Sequence, residues 1–169
     1  MTDDMTDAMP DELRPGRAEM SRMATTLRIA GEPASVVSMQ AGHRRQRILR
    51  GTDRTGIDKP RLLVDFGSGW PMLDDGTRRV GERRGSAVWL WSREYRIHRQ
   101  WLRPKLCFTV TAGESTVLRV HERFRPVEYD RTFDTYSDAG LDPVVTLALI
   151  LVTARPDRMR SRGRDTAPP

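Results

Sequence analysis

The sequence predicts a mainly β protein: an antiparallel meander or small barrel that wraps, or packs on, one hydrophobic helix near the C-terminus. Three observations lead there. From residue 60 onward apolar residues recur at every second position, and short clusters of Gly, Pro, Asp and Ser separate the runs. The stretch from Pro143 to Ala154 carries no charge, in a chain whose residues are 31% charged. With 169 residues the expectation is a single domain with tails, and 37% hydrophobic residues leave little apolar material outside its core.

In chain order, residues 1–20 hold six acidic residues and two prolines but few aliphatics, which reads as a flexible acidic leader. The single β-rich domain is then expected over 21–154. Leu27 and Ile29 alternate ahead of Gly31-Glu32-Pro33, and Ala34 to Met39 suits a short strand. A basic run, His43 to Arg47, and the turn-rich Gly51 to Gly56 follow. Period-two sets come next: Leu62, Val64 and Phe66; Trp89, Trp91, Tyr95, Ile97 and Trp101; Leu106, Phe108 and Val110; Leu118, Val120 and Phe124; Val127, Tyr129 and Phe133. Each set is expected to face the core, the tryptophans included. The separators Asp74-Asp75-Gly76, Gly85-Ser86, Arg103-Pro104, Ala112-Gly113-Glu114 and Arg125-Pro126 are turn chemistry, so successive strands are expected to be antiparallel neighbours.

The uncharged run is too short for a bilayer, which takes about 20 residues, so it must be covered by protein. Asp142 suits an N-cap, Pro143 the first helical position and Pro156 the stop, which favours a helix over 143–154. The β-branched Val144, Val145, Thr146, Ile150, Val152 and Thr153 suit a central strand, and that alternative stays open. On the helical reading Val144, Val145, Leu147, Leu149, Ile150 and Leu151 form a buried core helix. Residues 155–169, with five arginines, read as a disordered basic tail.

Thr132-Phe133-Asp134-Thr135-Tyr136, followed by Leu141-Asp142-Pro143 and the apolar run to Ala154, resembles the tubby C-terminal-like superfamily, which includes the phospholipid scramblases and LURP-one-related proteins. Trp70 to Gly81 is similar to the family's strand, Asp-Gly turn, strand hairpins. The resemblance implies a closed antiparallel barrel around a hydrophobic helix, with more strands than are legible here, and a role in lipid, membrane-surface or protein binding. The family's calcium segment is not matched: Asp134, Asp138 and Asp142 lack the Gly turn and terminal Glu of a calcium loop.

The formal net charge of +6 favours anionic partners. The candidate anion- or phosphate-binding residues are Arg78, Arg79, Arg83 and Arg84 around Gly81 and Gly85, Arg96 and His98 on the polar face of their strand, and Arg44, Arg45 and Arg47 in the basic run. For each, a solvated surface is the plainer reading. His43, His98 and His121 are scattered, and there is no nucleophile elbow, dinucleotide fingerprint or paired carboxylate. No catalytic residue, cofactor or metal is therefore expected. Cys107 is the sole cysteine, so no intrachain disulfide forms. The acidic start is the reverse of a signal peptide, and a cytoplasmic location with peripheral membrane attachment is expected. The leading functional reading is a non-enzymatic binding or scaffold module on anionic phospholipid or on another protein, without a transmembrane span. The alternatives are nucleic-acid binding through the Arg-rich loops and tail, and a small-molecule-binding or catalytic helix-grip-like fold.

Overall fold

In the computed structural model, residues 13–31, 36–52, 58–67, 69–123 and 131–158 are described. Twelve strands follow one another: β1 Arg14–Met20, β2 Ala24–Ile29, β3 Val36–Ala41, β4 His43–Thr52, β5 Asp58–Asp65, β6 Met72–Asp74, β7 Arg79–Arg84, β8 Ala87–Leu90, β9 Arg93–Arg99, β10 Cys107–Ala112, β11 Ser115–Glu122 and β12 Arg131–Ser137. Each pairs antiparallel with its neighbours, and β1 also pairs with β12, which closes the sheet into a barrel. A single helix, α1 Pro143–Ala154, follows β12, and a 3₁₀ turn, Pro156–Arg158, ends the described chain.

Side chains of an eight-stranded barrel fill its interior, and diameter grows with strand number. A twelve-stranded barrel needs a plug. The helix supplies it: every residue from Val144 to Ala154 is buried, so no face meets water. Inward residues from around the wall join the same core, among them Leu27, Leu49, Val64, Leu73, Leu90, Ile97, Val110, Val120 and Phe133. Its two threonine hydroxyls stay inside the helix, Thr146 Oγ1 donating to Asp142 O at 3.2 Å and Thr153 Oγ1 to Leu149 O at 2.8 Å. The helix alternative therefore holds and the strand alternative falls, because Asp142 caps the start by accepting from Val144 N at 2.7 Å.

Because the strands run up and down in order, the β1–β2, β3–β4, β5–β6, β7–β8, β9–β10 and β11–β12 links lie at one end, the exit end, where α1 finishes. The chain crosses from β12 into α1 at the other, entry, end. At the exit the last helical carbonyls have no helical N–H to accept from. Arg83 of β7 donates to Val152 O, Arg131 of β12 donates to Ala154 O at 2.9 Å, and the Arg155 N–H donates to Leu151 O at 2.9 Å. Cations from opposite walls thus meet the negative end of the helix dipole, in place of the basic last turn that α1 lacks. Arg131 also grips Glu122 at 2.8 and 2.9 Å, with side chains 25% and 9% exposed.

Several expectations change. The barrel begins at Arg14 and not at residue 21: the C-terminal part of the expected leader is β1, with Ala18 and Met20 buried and Gly16 so close to its neighbours that a Cβ would lie 2.6 Å from Thr135 Oγ1. Residues 1–12 lie outside the described residues. Arg155 to Arg158, expected in a disordered tail, pack on the exit, with Pro156 buried and the Arg155 guanidinium bonded to Asp157 at 3.0 Å and resting on the Phe66 ring at 4.9 Å. These contacts hold Arg155 in the left-handed conformation, φ 53°, that ends the helix. Residues 159–169, 53–57 and 124–130 lie outside the described residues, and with them most of the tail and the expected positions of Phe124, Val127 and Tyr129.

Burial pushes the Glu122 carboxyl up, but the Arg131 hydrogen bonds and charge, the Leu106 N–H and Lys105 outweigh it and hold the group below its ordinary value of 4.5. A depressed acid stabilises the fold above its unfolded value and loses that contribution as pH falls through the folded one. Wild type should therefore lose more stability between pH 7 and pH 3 than Glu122→Gln does, as read from urea midpoints. Arg131→Met should destabilise by about 2–4 kcal/mol at pH 7, since it strands both Glu122 and the Ala154 carbonyl.

Candidate functional site

Three exit-end links frame a recess. The β5–β6 link carries Trp70 beside Gly69, whose φ of 93° demands glycine. The β7–β8 turn is Gly85-Ser86, and the β9–β10 link carries Trp101-Leu102 ahead of Arg103-Pro104. Trp70, Arg83, Gly85, Ser86, Ile97, Arg99, Trp101 and Thr153 line a space of about 280 Å³ against the last turn of α1.

Its rim is apolar and exposed. Trp101 is 77% exposed, Trp70 51%, and Leu102 is fully exposed. Met23, in the β1–β2 link, and Met39, near the end of β3, are also open to solvent at the same end. Cations stand among them. The Arg99 guanidinium lies 4.4 Å from the Trp101 ring centroid, and Arg22, Arg103 and Arg158 are exposed. Burial, then the charges of Arg155, Arg99 and Arg158, lower the Arg83 pKa from its ordinary value, which records a crowd of positive charge at the recess. The entry-end turns carry Asp75, Glu114, Asp138 and Asp142, with Arg78, Arg79 and Arg93 beside them.

The sequence-predicted residues are not brought together. Strand β7 separates Arg78 and Arg79, at the entry end, from Arg83 and Arg84 at the exit. Arg78 lies 3.9 Å from Asp75, and Arg84 pairs with Glu82 at 3.3 Å. Arg83 is turned inward onto the helix and serves as its cap, not as a surface anion grip. Arg96 and His98 lie on the outer wall of β9, as expected, where Arg96 pairs with Glu94 at 2.6 Å and His98 Nε2 meets Thr111 Oγ1 at 3.0 Å. On β4, Arg45 is exposed at the rim, whereas Arg47 is buried in the wall and donates to Gln46 O and Arg22 O at 3.0 and 2.8 Å. The side chain of Arg44 lies outside the described residues. Val144, Val145, Leu147, Leu149, Ile150 and Leu151 are all buried, as expected of a core helix.

The tryptophans correct the sequence reading. Trp89 and Trp91 are 38% and 42% exposed, because the two-residue turn Trp91-Ser92 switches the inward parity from Val88 and Leu90 in β8 to Tyr95 and Ile97 in β9. Trp101 lies beyond the end of β9 and follows no strand parity. The adjacent Arg103-Pro104 turn was the available signal for Trp101 and Leu102, and the flanking Gly67-Ser68-Gly69 and Pro71 were the signal for Trp70. Among the described residues no three His, Cys, Asp or Glu side chains are placed to share a metal, and no helix is long and apolar enough to cross a membrane.

Known protein families, curated proteins and solved structures provide no match to the chain, so the role of the exit end rests on its own chemistry. If the rim tryptophan serves contact with something outside the protein, it adds little to folding. Trp101→Ala should then change stability by less than about 1 kcal/mol in urea unfolding, whereas Phe108→Ala, inside the wall of β10, should cost about 3–5 kcal/mol.

Proposed function

We propose that the protein is a non-enzymatic docking module whose exit end seats on an anionic phospholipid surface, as a peripheral protein of the cytoplasmic face. The observation that carries this is the joint exposure of Trp70, Trp101 and Leu102 among Arg22, Arg99, Arg103 and Arg158 at one end of a rigid barrel. Tryptophan belongs at the headgroup boundary, an exposed leucine gains by entering hydrocarbon, and each arginine near an anionic surface contributes about 1 kcal/mol. Leu102 favours this reading over nucleic acid, since a base-stacking platform has no use for a fully exposed aliphatic side chain. Kinship with the tubby C-terminal-like superfamily is part of the same proposal, supported by a closed barrel around an enclosed helix.

The test is sedimentation of the full chain with phosphatidylglycerol-containing vesicles and with neutral phosphatidylcholine vesicles. Wild type should bind the anionic vesicles, less so as salt rises, with a blue shift of tryptophan emission. The double substitution Trp101→Ser with Leu102→Ser should weaken binding at least about tenfold while the protein stays folded. Equal binding by wild type and the double variant, or salt-sensitive binding to DNA or RNA with none to vesicles, contradicts the proposal.

A further inference from the structure

On the outer wall, below the β1–β2 link of the exit end, Arg17 of β1 stands directly opposite Arg28 of β2, and Glu19 directly opposite Thr26. Both arginines are exposed. Like charges on directly paired positions repel, and Glu19, two residues along the same face, is the acid nearest to the pair in the sheet. Neither guanidinium has an ion-pair partner among the described residues. The remaining neighbour of Arg17, across the β1–β12 pairing, is Asp134, and Arg123 already holds that carboxylate at 2.7 Å. The four side chains line a recess of about 360 Å³, within the size range of small-molecule sites.

We infer that Arg17 and Arg28, with Thr26 and Glu19, form a binding site for a small hydroxyl-bearing phosphate monoester. Two guanidinium forks present paired donors that match the several oxygens of a phosphate dianion, and a bound dianion turns the mutual repulsion of the pair into shared attraction. The Thr26 hydroxyl is a further donor. Glu19 offers no donor when ionised and instead accepts from a hydroxyl of the ligand, which favours a polyol or sugar phosphate over bare inorganic phosphate. The site lies on the outer wall beneath the β1–β2 link and uses none of the side chains that carry the proposed membrane contact.

Glycerol phosphate is the probe, at ionic strength matched with sodium chloride and with inorganic phosphate as comparison. Wild type should gain thermal stability with the ester, more than with inorganic phosphate. Arg17→Gln and Arg28→Gln should each abolish the gain, and each should melt up to about 2 °C above wild type without ligand, because the repulsion is gone. Should the ester be carried on a lipid, Arg17→Gln will lower binding to phosphatidate vesicles relative to phosphatidylglycerol vesicles; should it be soluble, the variant will bind both as wild type does. An equal response to glycerol phosphate in wild type and both variants overturns the inference. So does a drop in the unliganded melting temperature of both variants, which would make the arginines structural.

Discussion

A helix with no polar face, finished inside protein, sets the terms for the rest of the molecule. Burial of Leu147, Leu149, Ile150 and Leu151 favours the fold by about 1.5–3 kcal/mol each, but it also takes the last helical carbonyls away from water, and an unmet buried carbonyl costs about 1–3 kcal/mol. The helix carries no base in its last turn. The barrel wall must supply the donors, and Arg83 and Arg131 do so from β7 and β12. Arg131 and Arg155 are balanced locally by Glu122 and Asp157, whereas Arg83 stands among further cations. Arginine in this chain therefore has two uses. Inside the exit it completes a helix, and on the outer wall it pairs with neighbouring carboxylates, as Arg84 does with Glu82, Arg96 with Glu94 and Arg123 with Asp134.

That double use explains which parts could be read from the sequence. The helix was legible because Asp142, Pro143 and Pro156 mark its limits without reference to the rest of the chain. Strands such as β10 and β11 were legible because Phe108 and Val110, then Leu118 and Val120, alternate against polar residues. The first four strands were mostly hidden. Their inward positions include Gly16, Thr25, Ser38 and Arg47, the last three almost wholly buried, and these erase the alternation on which strand recognition depends. Arg47 sits inside because its guanidinium finds the carbonyls of Gln46 and Arg22, a tertiary contact that no local pattern encodes.

The candidate sites failed to assemble for a related reason. Arg78, Arg79, Arg83 and Arg84 are neighbours in sequence, but an extended strand advances about 3.3 Å per residue and carries them to opposite ends of the barrel. The exposed rim escaped notice because it is made from separate links, and Trp101 happened to share a parity with Tyr95 and Ile97. Arg17 and Arg28 become a pair only through the β1–β2 register, which depends on recognising β1 at all. Sequence proximity grouped residues that the barrel separates, and the barrel groups residues that sequence keeps apart.

The central claim is that α1 is enclosed by the closed barrel and cannot open without it. Native-state amide hydrogen exchange tests this most directly. The account predicts that the amides of Leu147 to Val152 exchange only through global unfolding, with the same free energy and denaturant dependence as the most protected amides of β10 and β11. Exchange of those helical amides through a smaller opening, with the strand amides still protected, would contradict it.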